Sequence, residues 1–253
     1  MSLVRVDHVS FGYARGRRIL DAVSLDITAG DTIGLVGESG SGKTTLLRLL
    51  LGLQRPVSGS ISFDGAPLDP RNGAFMRSFR RQVQVVFQDP YSSLDPRQKV
   101  FSIIAEPLRS LRVPDDHTQM VADALAAVGL DRDAGRRYPH QFSGGQRQRI
   151  AIARAIVSGP KLLLADEAVS ALDLTTRTRI VDLLRRLSAG MSLVFVSHDI
   201  GVVAALCRRI VILEKGRIVE AGETRAVLAD PRHPYTQRLL ASVPRLKNKD
   251  LSP

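Results

Sequence analysis

One short stretch limits the folds open to this chain. Gly37-Glu38-Ser39-Gly40-Ser41-Gly42-Lys43-Thr44 has the spacing G-x-x-x-x-G-K-[ST]; it follows the apolar, β-branched run Thr32–Val36 and precedes a helical pattern over residues 44–51. Strand, glycine turn and helix in that order put a loop at the carboxyl end of a buried strand. The glycines let successive N–H groups turn inward, and the helix N-terminus adds about half a positive charge at the same point. The result is a cradle for phosphates. Lys43 supplies a mobile cation for the outer phosphates, and the Thr44 hydroxyl is a candidate magnesium ligand. Glu38, Ser39, Gly40, Ser41 and Thr45 complete the candidate phosphate-binding set.

The rest of the chain fits the α/β class this loop requires. Short apolar runs with β-branched residues alternate with helical patterns, as in a mainly parallel sheet. The expected strands are Val23–Ile27, Thr32–Val36, Ser60–Phe63, Val83–Phe87, Leu162–Ala165, Ser192–Val196, Ile210–Leu213 and Arg217–Glu220. Lys215-Gly216 reads as a tight turn between the last two. From Gln88 to Gly159 the pattern changes to helical periodicities, such as Val121, Ala124, Leu125 and Val128. That stretch is expected to be a helical lobe inserted into an α/β core. The expected organisation is a single domain over residues 1–230, with a core from 1–87 and 159–230, an inserted helical subdomain from 88–158, and a short extension over 231–253.

A second chemical signal lies at the end of an apolar strand, in Lys161-Leu-Leu-Leu-Ala-Asp166-Glu167. A pleated strand points neighbouring side chains to opposite faces. For both acids to serve one site, the strand must end here and the backbone must turn. Asp166 is then the magnesium ligand, and Glu167 orients and deprotonates an attacking water.

Composition removes several alternatives. The single cysteine, Cys207, excludes an internal disulfide framework and any cysteine-ligated cluster within one chain. The first residues, MSLVRVDHVS, lack a signal-peptide pattern, and no run of about 18 apolar residues occurs, so a cytoplasmic location is expected. The net charge of +11 raises the question of nucleic acid. The arginines, however, are scattered in pairs (Arg17/Arg18, Arg80/Arg81, Arg136/Arg137, Arg185/Arg186, Arg208/Arg209) without interleaved aromatics, which reads as solvated faces rather than a nucleic-acid surface.

Phe142-Ser143-Gly144-Gly145-Gln146-Arg147-Gln148-Arg149 is a second anion cradle, with Ser143 where a helix begins. It resembles the signature motif of ATP-binding cassette (ABC) subunits. With this motif the resemblance covers nearly the whole chain. It implies a phosphate-loop, RecA-like core with an N-terminal antiparallel β subdomain and the inserted helical subdomain. It also implies ATP and Mg2+ as ligands, with ATP sandwiched between the phosphate loop of one chain and Ser143, Gly144, Gly145 and Gln146 of another. Tyr13 resembles the aromatic that stacks on adenine, with Phe11 the alternative. Gln88 matches the glutamine that touches magnesium and the lytic water. Asp173, in Ser170-Ala171-Leu172-Asp173, matches a loop that signals across the dimer. His198 matches the switch histidine at the γ-phosphate.

Within that family, Val86–Pro96, Tyr138–Gln146 and His233-Pro234-Tyr235-Thr236 resemble importers of peptides, nickel and related metal chelates. The implied partners are membrane permease subunits, a second cassette (the same or different) and, indirectly, an external solute-binding protein. The implied location is the cytoplasmic face of the inner membrane. Two departures matter. Ala168 stands where the family usually has proline after the catalytic glutamate, so the orientation of Glu167 must come from packing; this Glu-Ala-Val-Ser variant tilts the reading toward metal chelates. The chain also ends soon after Thr236, without a cysteine-bearing extension. Cassette ATPases acting on DNA or ribosomes are the alternative, but they carry coiled-coil insertions or paired cassettes that this sequence does not show. A phosphate-loop kinase would have no use for the signature motif.

Overall fold

A computed structural model describes residues 2–13, 18–89 and 93–242. The apolar runs become the strands of a six-stranded sheet ordered β10-β9-β3-β8-β7-β6. These are β3 (Thr32–Val36), β6 (Val83–Val86), β7 (Leu162–Asp166), β8 (Ser192–Ser197), β9 (Arg209–Glu214) and β10 (Arg217–Glu223). Neighbours from β6 to β9 run parallel, and β10 folds back antiparallel on β9. A second, antiparallel sheet, ordered β2-β1-β4-β5, is built from β1 (Ser2–Phe11), β2 (Leu20–Thr28), β4 (Ser58–Phe63) and β5 (Ala66–Pro67).

Continuous apolar runs suit the parallel strands because both faces are covered. The pleat sends Leu162, Leu164, Val194, Val196, Val211 and Leu213 to one side. There they pack with the small sheet and with α1 (Lys43–Leu50) and α2 (Gly73–Gln82). It sends Leu163, Ala165, Leu193, Phe195, Ile210 and Ile212 to the other side, against the remaining helices. The described part of the stretch from Gln88 to Gly159 contains helices and no strand: α3 (Val100–Ile104), α4 (Glu106–Ser110), α5 (His117–Ala127), two short 3-10 turns and α6 (Gly144–Ile156). The chain then continues through α7 (Leu174–Leu187), α8 (Ile200–Leu206), α9 (Thr224–Ala229) and α10 (Pro234–Ala241).

The expected strands are present, with changes at their ends. β6 stops at Val86, and Phe87 is 45% exposed, so an apolar residue read as strand lies outside it. β7 runs one residue further than expected, to Asp166. Lys215 and Gly216 both have positive φ between the paired Glu214 and Arg217, the geometry of a two-residue primed hairpin turn. Pro90, Tyr91 and Ser92 of the importer-like segment, Arg17, and the tail from Arg245 to Pro253 lie outside the described residues.

The scattered arginines meet aspartates. Arg18, Arg81, Arg136, Arg185 and Arg209, one from each sequence pair, bind Asp21, Asp115, Asp133, Asp182 and Asp31 respectively. Burial pushes the Cys207 thiol up to about 12, so it is packed as a small apolar residue and is not a reactive thiolate.

The middle of β3 contacts α8 so closely that a Cβ on Gly34 would lie 2.2 Å from Val203 Cγ1. Valine has little rotamer freedom to yield. Gly34→Ala is therefore expected to lower stability by about 1–3 kcal/mol through overpacking. Thermal melts of Gly34→Ala, Val203→Ala and the double variant test this: the double variant should lose less than the two single losses together, and strict additivity would contradict the contact.

Candidate functional site

The phosphate loop leaves the fully buried β3 and enters α1 at Gly42, whose φ of 110° no side chain with a Cβ adopts readily. No side chain caps the N-terminus of α1, so its first N–H groups remain available to an anion. Lys43 is 7% exposed, and its ammonium donates to the carbonyls of Gly37 at 2.7 Å and Glu38 at 2.8 Å. Burial pushes this ammonium down from its ordinary pKa, while the carboxylates of Glu167, Asp166 and Glu38 pull it back up. Ser41 Oγ is buried and has no hydrogen-bond partner among the described residues. A cradle with an unpaired hydroxyl and a cation folded onto its own backbone has the donors an outer phosphate would engage.

The loop opens on a cavity of about 560 Å³ that is also lined by Ser39, Gly40, Thr44, Thr45, Gln88 and Glu167. Asp166 ends β7 beside it. Burial pushes the Asp166 carboxyl up, and neighbouring Glu167 adds to this, against Lys43 and Arg48. A bound divalent cation would reverse that balance. Among the described residues no three His, Cys, Asp or Glu side chains cluster to hold a metal. Asp166, Thr44 and Gln88 therefore fit magnesium with waters and phosphate oxygens completing its shell, the usual arrangement for this ion.

The backbone does turn after Asp166, as two acids serving one site require. Glu167 has φ +46°, left-handed for a residue with a side chain, and its N–H donates to Val196 O at 2.9 Å. Such a conformation costs on the order of 1–3 kcal/mol and must be held by its surroundings. Ser170 supplies the hold. Its N–H and its hydroxyl both donate to Glu167 O at 3.0 Å, and Gln88 Nε2 donates to the same hydroxyl at 3.3 Å. Ala168 is buried alongside. The Glu167 carboxylate lies 3.2 Å from His198 Nδ1. The structure thus brings Gln88, Glu167 and His198 together at the phosphate loop. Sequence reasoning missed Ser170 as the shared partner of Gln88 and Glu167, although Ser170 opens the Ser170–Asp173 segment.

Tyr13 is 57% exposed, whereas Phe11 is buried at its edge, 5.1 Å between centroids. Of the two, Tyr13 is the ring exposed among the described residues. Its hydroxyl accepts from Arg48 of α1 and Gln54, both at 3.1 Å, and these bonds hold its pKa below the ordinary tyrosine value.

Ser143 and Gln146 form a reciprocal cap at the start of α6: Gln146 N–H donates to Ser143 Oγ at 3.3 Å, and Ser143 N–H to Gln146 Oε1 at 3.0 Å. Gly144 is the first helical residue. A Cβ on Gly145 would lie 2.4 Å from Thr176 Cγ2, so close packing against α7 already requires that glycine. Asp173 caps α7 by accepting from Thr176 N–H at 3.0 Å, and hydrogen bonding from the Thr176 hydroxyl and N–H holds its carboxyl below the usual range. Ser143, Gly145 and Gln146 line a different cavity, of about 450 Å³, that shares no lining residue with the first. One chain does not bring the two cradles together.

Residues 20–170 match the sequence model described as ABC transporter, and residues 219–252 match the one described as Oligopeptide/dipeptide transporter, C-terminal region. A protein of Brucella abortus (strain 2308), provisionally named a peptide import ATP-binding protein, is 46% identical over 91% of this chain and 70% of its own length. The glutathione import ATP-binding protein GsiA of Escherichia coli (strain K12) is 48% identical over 89% of this chain, which spans 37% of that longer protein. The fold superposes with a TM-score of 0.83 on cbiO1 from Clostridium perfringens, described as part of the ABC transporter complex cbiONQ; identity is 28%, over 90% of this chain and 91% of that one. The ATP-binding cassette MJ0796, solved as a dimer in a post-hydrolysis state with ADP and Pi, gives 0.77 at 30% identity, over 88% of this chain and 99% of that one. On these matches the chain belongs to the ABC transporter family and is an ATP-binding, ATP-hydrolysing cassette that works with Mg2+.

Proposed function

We propose that this cassette drives an importer for peptides or related small solutes, with two cassettes closing around ATP beneath a membrane permease. The carrying observation is the separation of the two cradles. The Lys43 loop and the Ser143 cap each offer backbone N–H groups to an anion, yet they line different cavities of one chain. A γ-phosphate touched by both requires a second cassette, identical or different. Peptide import is the solute class that the Brucella relative's name and the oligopeptide/dipeptide match over the C-terminal region support. Nickel and other metal chelates, favoured by the Ala168 variant, are the second reading. Among the described residues no helix is long and apolar enough to cross a membrane, so attachment to the membrane would be through the permease, at its cytoplasmic face. A solute-binding protein would act on the permease from the other side, and the helices from 88–158 would carry motion to a permease loop.

In the proposed mechanism Tyr13 stacks on the base, and Gly37–Thr45 hold the phosphates. Lys43 leaves the carbonyls of Gly37 and Glu38 for the β- and γ-phosphates. Magnesium, held by Thr44, Asp166 and Gln88, would neutralise developing charge on the phosphate oxygens. Glu167 accepts the proton of the attacking water, oriented by Gln88 and His198. Closure is a rigid-body change biased by one phosphate group, and its loss on hydrolysis reopens the pair. The Asp173 loop follows the Glu167 turn in the chain and caps α7, whose Thr176 packs at Gly145 of the Ser143 helix, and would carry that signal to the opposite site.

Glu167→Gln is expected to keep ATP binding and to lower hydrolysis by about two to four orders of magnitude, the scale of a lost general base; equal turnover would remove Glu167 from that role. Lys43→Ala should weaken nucleotide binding in a direct titration, and unchanged affinity would contradict the cradle. Ser143→Glu should leave the isolated chain's ATP affinity unchanged while abolishing hydrolysis in the reconstituted transporter. A variant whose isolated chain binds ATP more weakly would mean that Ser143 serves its own chain's site.

A further inference from the structure

The last described helix reaches back to the phosphate loop. Tyr235, in α10 and 3% exposed, accepts a hydrogen bond through its hydroxyl from the N–H of Glu38 at 2.8 Å, across 197 residues of sequence. That N–H belongs to the peptide between Gly37 and Glu38. The carbonyl of the same peptide is Gly37 O, which accepts from Lys43 Nζ at 2.7 Å. A trans peptide is planar, with its N–H and C=O pointing in opposite directions. Tyr235 and Lys43 therefore hold one peptide plane from its two ends.

We infer that Tyr235 is a positioning residue for ATP: its hydroxyl keeps the Gly37–Glu38 peptide oriented after Lys43 has left Gly37 O for the phosphates. This inference rests on the reading of Gly37–Thr45 as the phosphate cradle. Once the ammonium moves, Gly37 O loses its partner and the peptide is free to rotate. Glycine has the weakest backbone preference to oppose this, and a Cβ here would lie 2.2 Å from Leu213 O, so no other residue can stiffen the position. Among the hydrogen bonds of the described residues, the bond from Tyr235 is then the one left on that plane. Rotation would carry the Gly37 carbonyl toward the phosphates, where an acceptor repels them.

The brace is itself fixed. Both Glu220 carboxylate oxygens accept backbone N–H groups at the entry to α10, from Arg232 at 2.9 Å and His233 at 3.1 Å. His233 Nδ1 accepts from Tyr235 N–H at 3.2 Å. Arg238 lies over the Tyr235 ring and pairs with Glu214 at 3.4 Å. These anchors sit on β9 and β10, whose turn also touches the loop, since Gly216 N–H donates to Ser41 O at 2.9 Å. His233-Pro234-Tyr235-Thr236, noted in the sequence only as a mark of the importer group, thereby gains a physical task.

The test is Tyr235→Phe, which keeps the ring and removes the acceptor. KM and Kd for Mg–ATP are expected to rise about three- to tenfold, the range one hydrogen bond supports, with kcat at saturating ATP within about twofold of the parent protein. Amide exchange read at Glu38 should be slow in the parent, with and without ATP, and faster in the variant. Unchanged KM and Kd, or a loss confined to kcat, would overturn the inference. If the variant does not fold, the parent decides: Glu38 protection that persists with ATP bound supports the brace, and protection lost on binding removes it. A parent that binds ATP normally beside a variant that binds equally well sinks only the brace. A parent that does not bind ATP sinks the cradle reading as well.

Discussion

The ammonium of Lys43, buried and folded onto two carbonyls of its own loop, is the interaction on which the rest depends. A cation removed from water needs compensation, and here loop carbonyls and three nearby carboxylates provide it. The same arrangement makes the ammonium transferable, because a phosphate offers a stronger partner at the place where the helix N-terminus and the loop N–H groups already favour negative charge. The parallel sheet brings the ends of β3 and β7 side by side through β8, which is how a loop near residue 40 meets carboxylates at 166 and 167.

The turn at Glu167 is strained, and hydrogen bonds to Val196 and Ser170 hold it. Glu167 adopts a left-handed backbone without glycine and without a following proline. Ser170 ties its carbonyl by two hydrogen bonds and ties Gln88 by a third. A shift of Gln88, at the entrance to the helical lobe, is therefore felt at the glutamate through a single side chain. The left-handed turn aims the Glu167 carboxylate toward His198, while Asp166 remains at the strand end.

The order of elements was legible because buried parallel strands are written as uninterrupted apolar runs, and residues 32–36, 162–165, 192–196 and 210–213 carry that pattern. The phosphate loop was legible because its chemistry is local in sequence. Phe87 was read as strand from hydrophobicity alone, although its exposure takes it out of β6. What sequence could not reveal is non-local. Nothing in His233–Thr236 points to Glu38, and nothing in Ser170 points to Gln88; both contacts exist only because the sheet order places distant segments together. Gly145 shows the reverse, a motif glycine read for its anion cradle that the packing of Thr176 requires on its own account.

Calorimetric titration of Mg–ATP into the isolated chain reports on the Lys43 cradle before any partner is added. Saturable binding of one nucleotide per chain, with slow turnover in the absence of a second cassette, is the expected result. No binding at millimolar nucleotide, or full-rate hydrolysis by a monomer, would contradict it.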